Sequence, residues 1–150
     1  MTTMEGFEVQ ECTDTKIIQT LFQEYSQIKG AESCFVSFEK ELAGLASFYR
    51  GGALFAGYCG GEAAACAALK KSSAKSAELK RLYIKPAFRG KGYAHIILRT
   101  VFAKARELGF SEVTLTTKPA VMPAAYALYK KSGFSEIGET DGTVSMRITL

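Results

Sequence analysis

The sequence predicts a single mixed α/β domain with a central sheet flanked by helices. Three observations predict it. The chain of 150 residues is long enough for one well-filled core. Its hydrophobic spacing switches repeatedly between a period of two and a period of about 3.6 residues, so strands and helices alternate along it. No repeat, low-complexity tract or linker divides it, so residues 1–150 read as one domain.

The elements follow in order. "GFEVQEC" reads as a first strand. From Asp14, Ile17, Ile18, Leu21, Phe22, Tyr25 and Ile28 recur at helical steps, with Asp14 or Thr13 as the cap and Gly30 as the stop. A short second helix is expected after Ser37, with Leu42, Leu45 and Ala46 on one face. Two apolar runs around Gly60-Gly61 form a hairpin, because a glycine pair favours primed turns. "SAELKRLYIK" is a further strand, stopped at Pro86. A long helix then opens, with Ala94, Ile97, Leu98, Val101, Ala105 and Leu108 as its core stripe and Gly109 as its end. "SEVTLTT" is a strand. Pro123 starts another helix that carries Ala125, Leu128 and Tyr129 and stops at Gly133. "FSEIGE" and "TVSMRITL" close the chain as an antiparallel pair around Asp141-Gly142.

Bulk properties exclude several classes. The formal net charge of +4 is too mild to imply nucleic acid, but it suits a small polyanion. Cys12, Cys34, Cys59 and Cys66 form no C-x-x-C pair, and His95 is the sole histidine, so no metal site is expected. "MTTMEGFEVQ" has neither the basic nor the apolar region of a signal peptide, and no apolar run reaches membrane-spanning length. A cytoplasmic protein with reduced thiols, no membrane partner and no nucleic-acid partner is expected.

The most informative segment is "PAFRGKGYA", where a strand ends, glycines follow and a long helix starts at once. The first turn of a helix has unpaired N–H groups and the positive end of the dipole. Gly90 and Gly92 let backbone close on an anion, and Arg89 and Lys91 add charge. The segment lacks the nucleotide-triphosphate pattern G-x-x-x-x-G-K-[ST]. His95 stands where a dinucleotide fingerprint needs its third glycine.

The run Arg89-Gly90-Lys91-Gly92-Tyr93-Ala94 fits R-x-x-G-x-[GA] and resembles the pyrophosphate loop of the GNAT acetyltransferases. "AELKRLYIKPAFRGKGYAHIILRTVFAKARELGFSEVTLTT" resembles that family's core, and "AAYALYKKSGF" resembles its following helix. The resemblance covers about residues 76 to 138. Several members carry asparagine where Met122 stands; a subgroup carries methionine, and "ELKRLY" resembles that subgroup.

The resemblance implies an acetyl-coenzyme A dependent N-acetyltransferase with no metal. Its fold would splay the fourth strand from the fifth to leave a V-shaped cleft in a mostly antiparallel sheet. The cosubstrate's pantetheine arm would pair with the backbone of Leu82, Tyr83 and Ile84. Its pyrophosphate would rest on Arg89, Gly90, Lys91, Gly92, Tyr93 and Ala94, joined by the amide of His95. The imidazole of His95 reads as helix surface. Tyr129 matches the family's general acid: a phenol with an ordinary pKa of about 10 still carries its proton at neutral pH. Glu78 matches a general-base position on the fourth strand, and an apolar setting would raise its pKa. Simple alternation puts Glu78, Lys80, Leu82 and Ile84 on one face. An ion pair of Glu78 with Lys80 or Arg81 is the competing role. The acceptor would be an amine of a small molecule, amino acid or peptide, walled by residues from about Tyr25 to Arg50, including Phe35, Phe38, Phe48 and Tyr49. No cysteine matches a nucleophile position, so direct attack in a ternary complex is expected. A coenzyme A-binding module without catalysis is the alternative, and a homodimer stays open beside a monomer.

Overall fold

The computed structural model describes residues 2–4, 6–30, 32–35 and 37–150, with backbone alone at 2–4, 33 and 34. The side chain of Cys34 therefore lies outside the described residues. The strands are β1 (Thr2–Met4), β2 (Phe7–Glu11), β3 (Ala53–Cys59), β4 (Glu62–Lys71), β5 (Ser76–Ile84), β6 (Glu112–Thr117), β7 (Ser135–Thr140) and β8 (Thr143–Thr149). The α-helices are α1 (Thr15–Ser26), α2 (Phe38–Ala43), α3 (Leu45–Phe48), α4 (Tyr93–Glu107) and α5 (Pro123–Lys131). Short 3₁₀ turns occupy Glu32–Phe35 and Pro86–Phe88.

The expected order of elements holds, with one strand added at the start. Because of β1, the expected fourth and fifth strands are β5 and β6. One eight-stranded sheet runs β1-β2-β3-β4-β5-β6-β8-β7. All of its pairs are antiparallel except β5 with β6. The β3–β4 and β7–β8 hairpins turn through consecutive positive-φ residues, Gly60-Gly61 and Asp141-Gly142, as the sequence predicts.

Helices cover both faces. On one side α4 and α5 bury Phe7, Val9, Phe55, Leu69, Ile97, Val101 and Met146 against the sheet. On the other, α1 to α3 bury Ile18, Leu21, Phe22, Leu45, Leu54 and Tyr83. Asp14 caps α1 by accepting from the Lys16 N–H at 3.0 Å. The α4 helix stops before Gly109, and the Phe110 N–H closes back on the Ala105 carbonyl at 3.0 Å.

Three expectations are corrected. The helix after Ser37 is two short helices, broken at Gly44, whose φ of −142° and ψ of 56° are not helical. Leu45 is buried but Ala46 is exposed, so they do not share an inward face. The core stripe of α4 runs through Tyr93, Ile96, Ile97, Leu98, Val101 and Ala105; Ala94 is half-buried and Leu108 is exposed, because the helix ends at Glu107. The face assignment along β5 also changes. Lys80 pairs with Ala68 and Tyr83 with Cys66, so Arg81 and Leu82 together oppose Ala67. This is a β-bulge, and Arg81 takes φ 59° within it. The extra residue swaps the faces beyond it: Leu82 and Ile84 pack on the α4 side, whereas Tyr83 packs on the α1 side. Glu78 and Lys80 therefore stand on the face opposite Leu82 and Ile84.

Candidate active site

The parallel strands β5 and β6 pair over three residues only, Ser76 with Glu112, Ala77 with Val113 and Glu78 with Thr114. Beyond Glu78 the two strands separate, and a cleft of about 320 Å³ opens between them. The bulge at Arg81 bends β5 where the separation begins. Glu78, Lys80, Arg81 and Leu82 line one side of the cleft, Thr116, Thr117 and Lys118 the other, and Met122, just before α5, and Tyr129 of α5 reach in from above. Thr140, Asp141 and Thr143 of the last hairpin complete the rim.

The fork lets the two faces of the sheet meet. Tyr25 packs in the cluster on the α1 side and Tyr129 in that on the α4 side, yet both line the cleft, and the Tyr25 hydroxyl donates to the sulfur of Met122, just before α5, at 3.3 Å. Tyr25 also stacks on Tyr83, with ring centroids 5.1 Å apart.

Tyr129 is 7% exposed and makes no side-chain hydrogen bond among the described residues. Its ring packs edge-on to Phe134, and the Phe134 N–H closes α5 by bonding the Tyr129 carbonyl at 3.0 Å. Burial, and then the neighbouring Tyr25, push its pKa above that of a free phenol, so it is a neutral donor. Glu78 has a side chain 30% exposed and lies 4.0 Å from the Lys80 ammonium, the outer limit of an ion pair. Its setting is half-open and polar. Arg81 does not serve as its partner in the way considered from sequence; it forms a buried pair with Glu41, at 3.0 Å from Nε and 2.8 Å from its terminal nitrogen.

The phosphate-type loop lies at the far end of β5. Gly90 and Gly92 take φ of 77° and 81°, a region that disfavours any side chain. No atom lies within 4 Å of the position a Gly90 side chain would occupy. Gly92 precedes α4, which has no side-chain cap and no acidic residue in its first turn. Its leading N–H groups therefore offer a positive, unblocked surface. Arg89 is fixed by a 2.8 Å bond from Nε to the Ile84 carbonyl, and its guanidinium lies 5.7 Å over the Tyr83 ring. Lys91 and His95 are exposed. The Tyr93 ring is structural, stacked 4.0 Å on Phe7, and only its backbone belongs to the loop. Leu82, Tyr83 and Ile84 lie on the stretch of β5 that has no partner on the β6 side.

Sequence reasoning thus brings Glu78 and Tyr129 to one cleft and Arg89 to His95 to one helix start. It includes Tyr25 in the expected acceptor wall but not its place beside Tyr129, and it misses the role of Glu41. The signal for Glu41 is an acid on the apolar side of a short helix, which reads as surface until the partner at Arg81 is known.

A sheet forked between two parallel strands, with a bare helix N-terminus at one end of the fork and a buried phenol within it, defines the acetyltransferase class. The comparisons agree. The chain belongs to the acetyltransferase (GNAT) family, whose model matches residues 5–134. It is 34% identical over 120 residues to the uncharacterised N-acetyltransferase YjgM of Escherichia coli, covering 80% of this chain and 60% of that protein's length. An acetyltransferase from Streptococcus agalactiae superposes with a TM-score of 0.80 at 17% identity, over 98% of this chain and 100% of the other. The PaiA N-acetyltransferase of Thermoplasma acidophilum, solved in complex with coenzyme A, superposes at 0.76 with 16% identity, over 96% and 99%. Among the described residues no group of three or more metal-ligating side chains occurs, and no helix is long and apolar enough to cross a membrane.

Proposed function

We propose that this protein transfers the acetyl group of acetyl-coenzyme A to a primary amine of a small molecule, amino acid or peptide, by direct attack in a ternary complex. The observation that carries this reading is the fork itself: one cleft bears Glu78 and Tyr129, and the strand that forms its side runs to the bare N-terminus of α4.

The residues fit the cosubstrate. The diphosphate lies against the backbone N–H groups from Arg89 to His95, with the side chains of Arg89 and Lys91 adding charge. The pantetheine arm extends along Leu82, Tyr83 and Ile84, where the backbone lacks a neighbour on the β6 side. In this reading the thioester lies in the cleft that Tyr129 and Glu78 both line. Tyr129, which burial keeps protonated, is the group that donates to the departing thiolate. Glu78 takes the proton of the incoming ammonium, directly or through water entering its half-open setting.

Direct attack is supported by the cysteines. None of Cys12, Cys59 and Cys66 lines the cleft. Cys66 is buried, donates to the Arg81 carbonyl at 3.4 Å, and burial pushes its thiol pKa up, away from nucleophilic thiolate.

The test is release of coenzyme A from acetyl-coenzyme A with a panel of polyamines, aromatic amines, free amino acids and short peptides. An acetylated product, identified by mass, supports the reading. Saturable binding of acetyl-coenzyme A with no acetylated amine across the panel overturns catalysis and leaves a binding module.

A further inference from the structure

Glu41 stands apart from every role assigned so far. It is 2% exposed, the most buried acid among the described residues, and it lies on α2 rather than on the sheet. Its carboxylate takes three donors: Nε of Arg81 at 3.0 Å, a terminal nitrogen of Arg81 at 2.8 Å, and the Tyr49 hydroxyl at 2.7 Å. Two parallel N–H donors fix a carboxylate in direction as well as distance. The guanidinium is also held against two rings: its central carbon lies 4.2 Å over the Phe35 ring and 5.3 Å from that of Phe38. Phe35 in turn meets Tyr25 edge-on, with centroids 5.1 Å apart.

The segment so held has little to hold itself. The α2 helix has six residues and α3 has four, too short to persist without tertiary contacts. Ser37, which precedes α2, has φ 61° and makes no side-chain cap. Among the described residues, the side-chain hydrogen bonds that tie α2 and α3 to the rest are those of the Glu41 cluster and one from Gln19 Nε2 to the Leu42 carbonyl at 3.0 Å. At its other end the cluster grips Arg81, the bulge residue from which β5 turns into the cleft.

We infer that Glu41 is a positioning residue: it ties Arg81, the bulge residue of β5 that lines the cleft, to the 38–49 segment behind it, and so fixes the side of the cleft that the acceptor amine meets. This rests on the reading of the cleft as the transfer site. The acetyl-coenzyme A seat depends on it less, because Leu82 to Ile84 are held by β4 pairing and Arg89 by the Ile84 carbonyl.

The experiment uses two variants. Glu41→Gln weakens the charge-assisted tie. Glu41→Met with Arg81→Met removes both charges together, so no lone charge is stranded in the interior and folding is protected. Backbone hydrogen exchange is followed with acetyl-coenzyme A bound, and kinetics are followed with the fastest amine of the panel. The expected result is exchange about 10-fold faster at Phe38–Tyr49 with α4 unchanged, which is local loosening. The amine KM rises about 10-fold while kcat and acetyl-coenzyme A affinity stay within about 3-fold, as lost positioning of one substrate requires. Equal acceleration of exchange in α4, an unchanged amine KM, or a matching loss of acetyl-coenzyme A affinity overturns the inference. If wild type acetylates no amine, the transfer reading fails by itself, and the exchange comparison still decides whether Glu41 holds the wall.

Discussion

Glu78 pairs with Thr114, and that pair is the last rung between β5 and β6. The carboxylate is thereby placed at the vertex of the fork, at the inner end of the cleft that Tyr129 also lines. A group at the vertex can reach the acceptor without lying in the path of the extended cosubstrate, and that position motivates the first test.

Replacing Glu78 by glutamine lowers the rate with amines that are protonated at neutral pH, and the loss shrinks as pH rises past the amine's own pKa. A base is needed only while the acceptor carries its extra proton. The check is a pH–rate profile of wild type and variant with one good acceptor, beside their melting temperatures. A constant fractional loss at every pH, with a lowered melting point, assigns Glu78 instead to its ion pair with Lys80.

Tyr129→Phe keeps the ring against Phe134 and removes only the proton donor. Turnover falls by about 10²-fold or more, the usual scale of general-acid catalysis, while acetyl-coenzyme A affinity is nearly unchanged. Single-turnover kinetics measure the chemical step. An unaltered chemical step makes Tyr129 a packing residue.

Gly92→Glu abolishes acetyl-coenzyme A binding, because it adds a carboxylate where backbone must meet phosphate. Any side chain at φ 81° is also strained, by about 1–2 kcal/mol. Gly92→Ala carries the strain without the charge, so calorimetric affinities of both variants separate the two effects. Binding retained by a folded Gly92→Glu protein would falsify the phosphate role of the loop.

Stability falls on the alkaline side through buried phenols and a buried thiol. Burial, the largest cause, raises the pKa of Tyr49, Tyr83, Tyr129 and Cys66; for Tyr49 and Tyr83 the hydrogen bonds to Glu41 and Glu24 add to it. The folded state therefore holds protons that the unfolded chain releases. The contribution is complete below the unfolded values, about 8.5 for the thiol and 10 for the phenols, and is lost as pH rises above them. Melting temperature should decline from about pH 9 upward, and Tyr129→Phe should make that decline shallower. A melting curve flat to pH 11 would contradict the burial of these groups.

The sequence by itself determined the order of elements and the phosphate-type loop, for a common reason. The cap at Asp14, both tight turns, the helix of Tyr93–Glu107 and the run from Arg89 to Ala94 are written in contiguous residues, so local backbone preference and hydrophobic period suffice to read them. Tertiary structure decided the faces of β5, the make-up of the wall and the neighbours of Tyr129. Alternating burial continues unbroken from Ser76 to Ile84, yet the bulge at Arg81 moves Leu82 and Ile84 to the other side. A period of two cannot reveal an inserted residue when the inserted side chain is itself buried by a distant partner. That partner, Glu41, lies 40 residues away, and the Tyr25 to Met122 contact spans 97. Such pairs form only when separate elements dock across the sheet, so the polar lock of the cleft wall and the company of its buried phenol are properties of packing, whereas the bare helix start that receives phosphate is a property of the local chain.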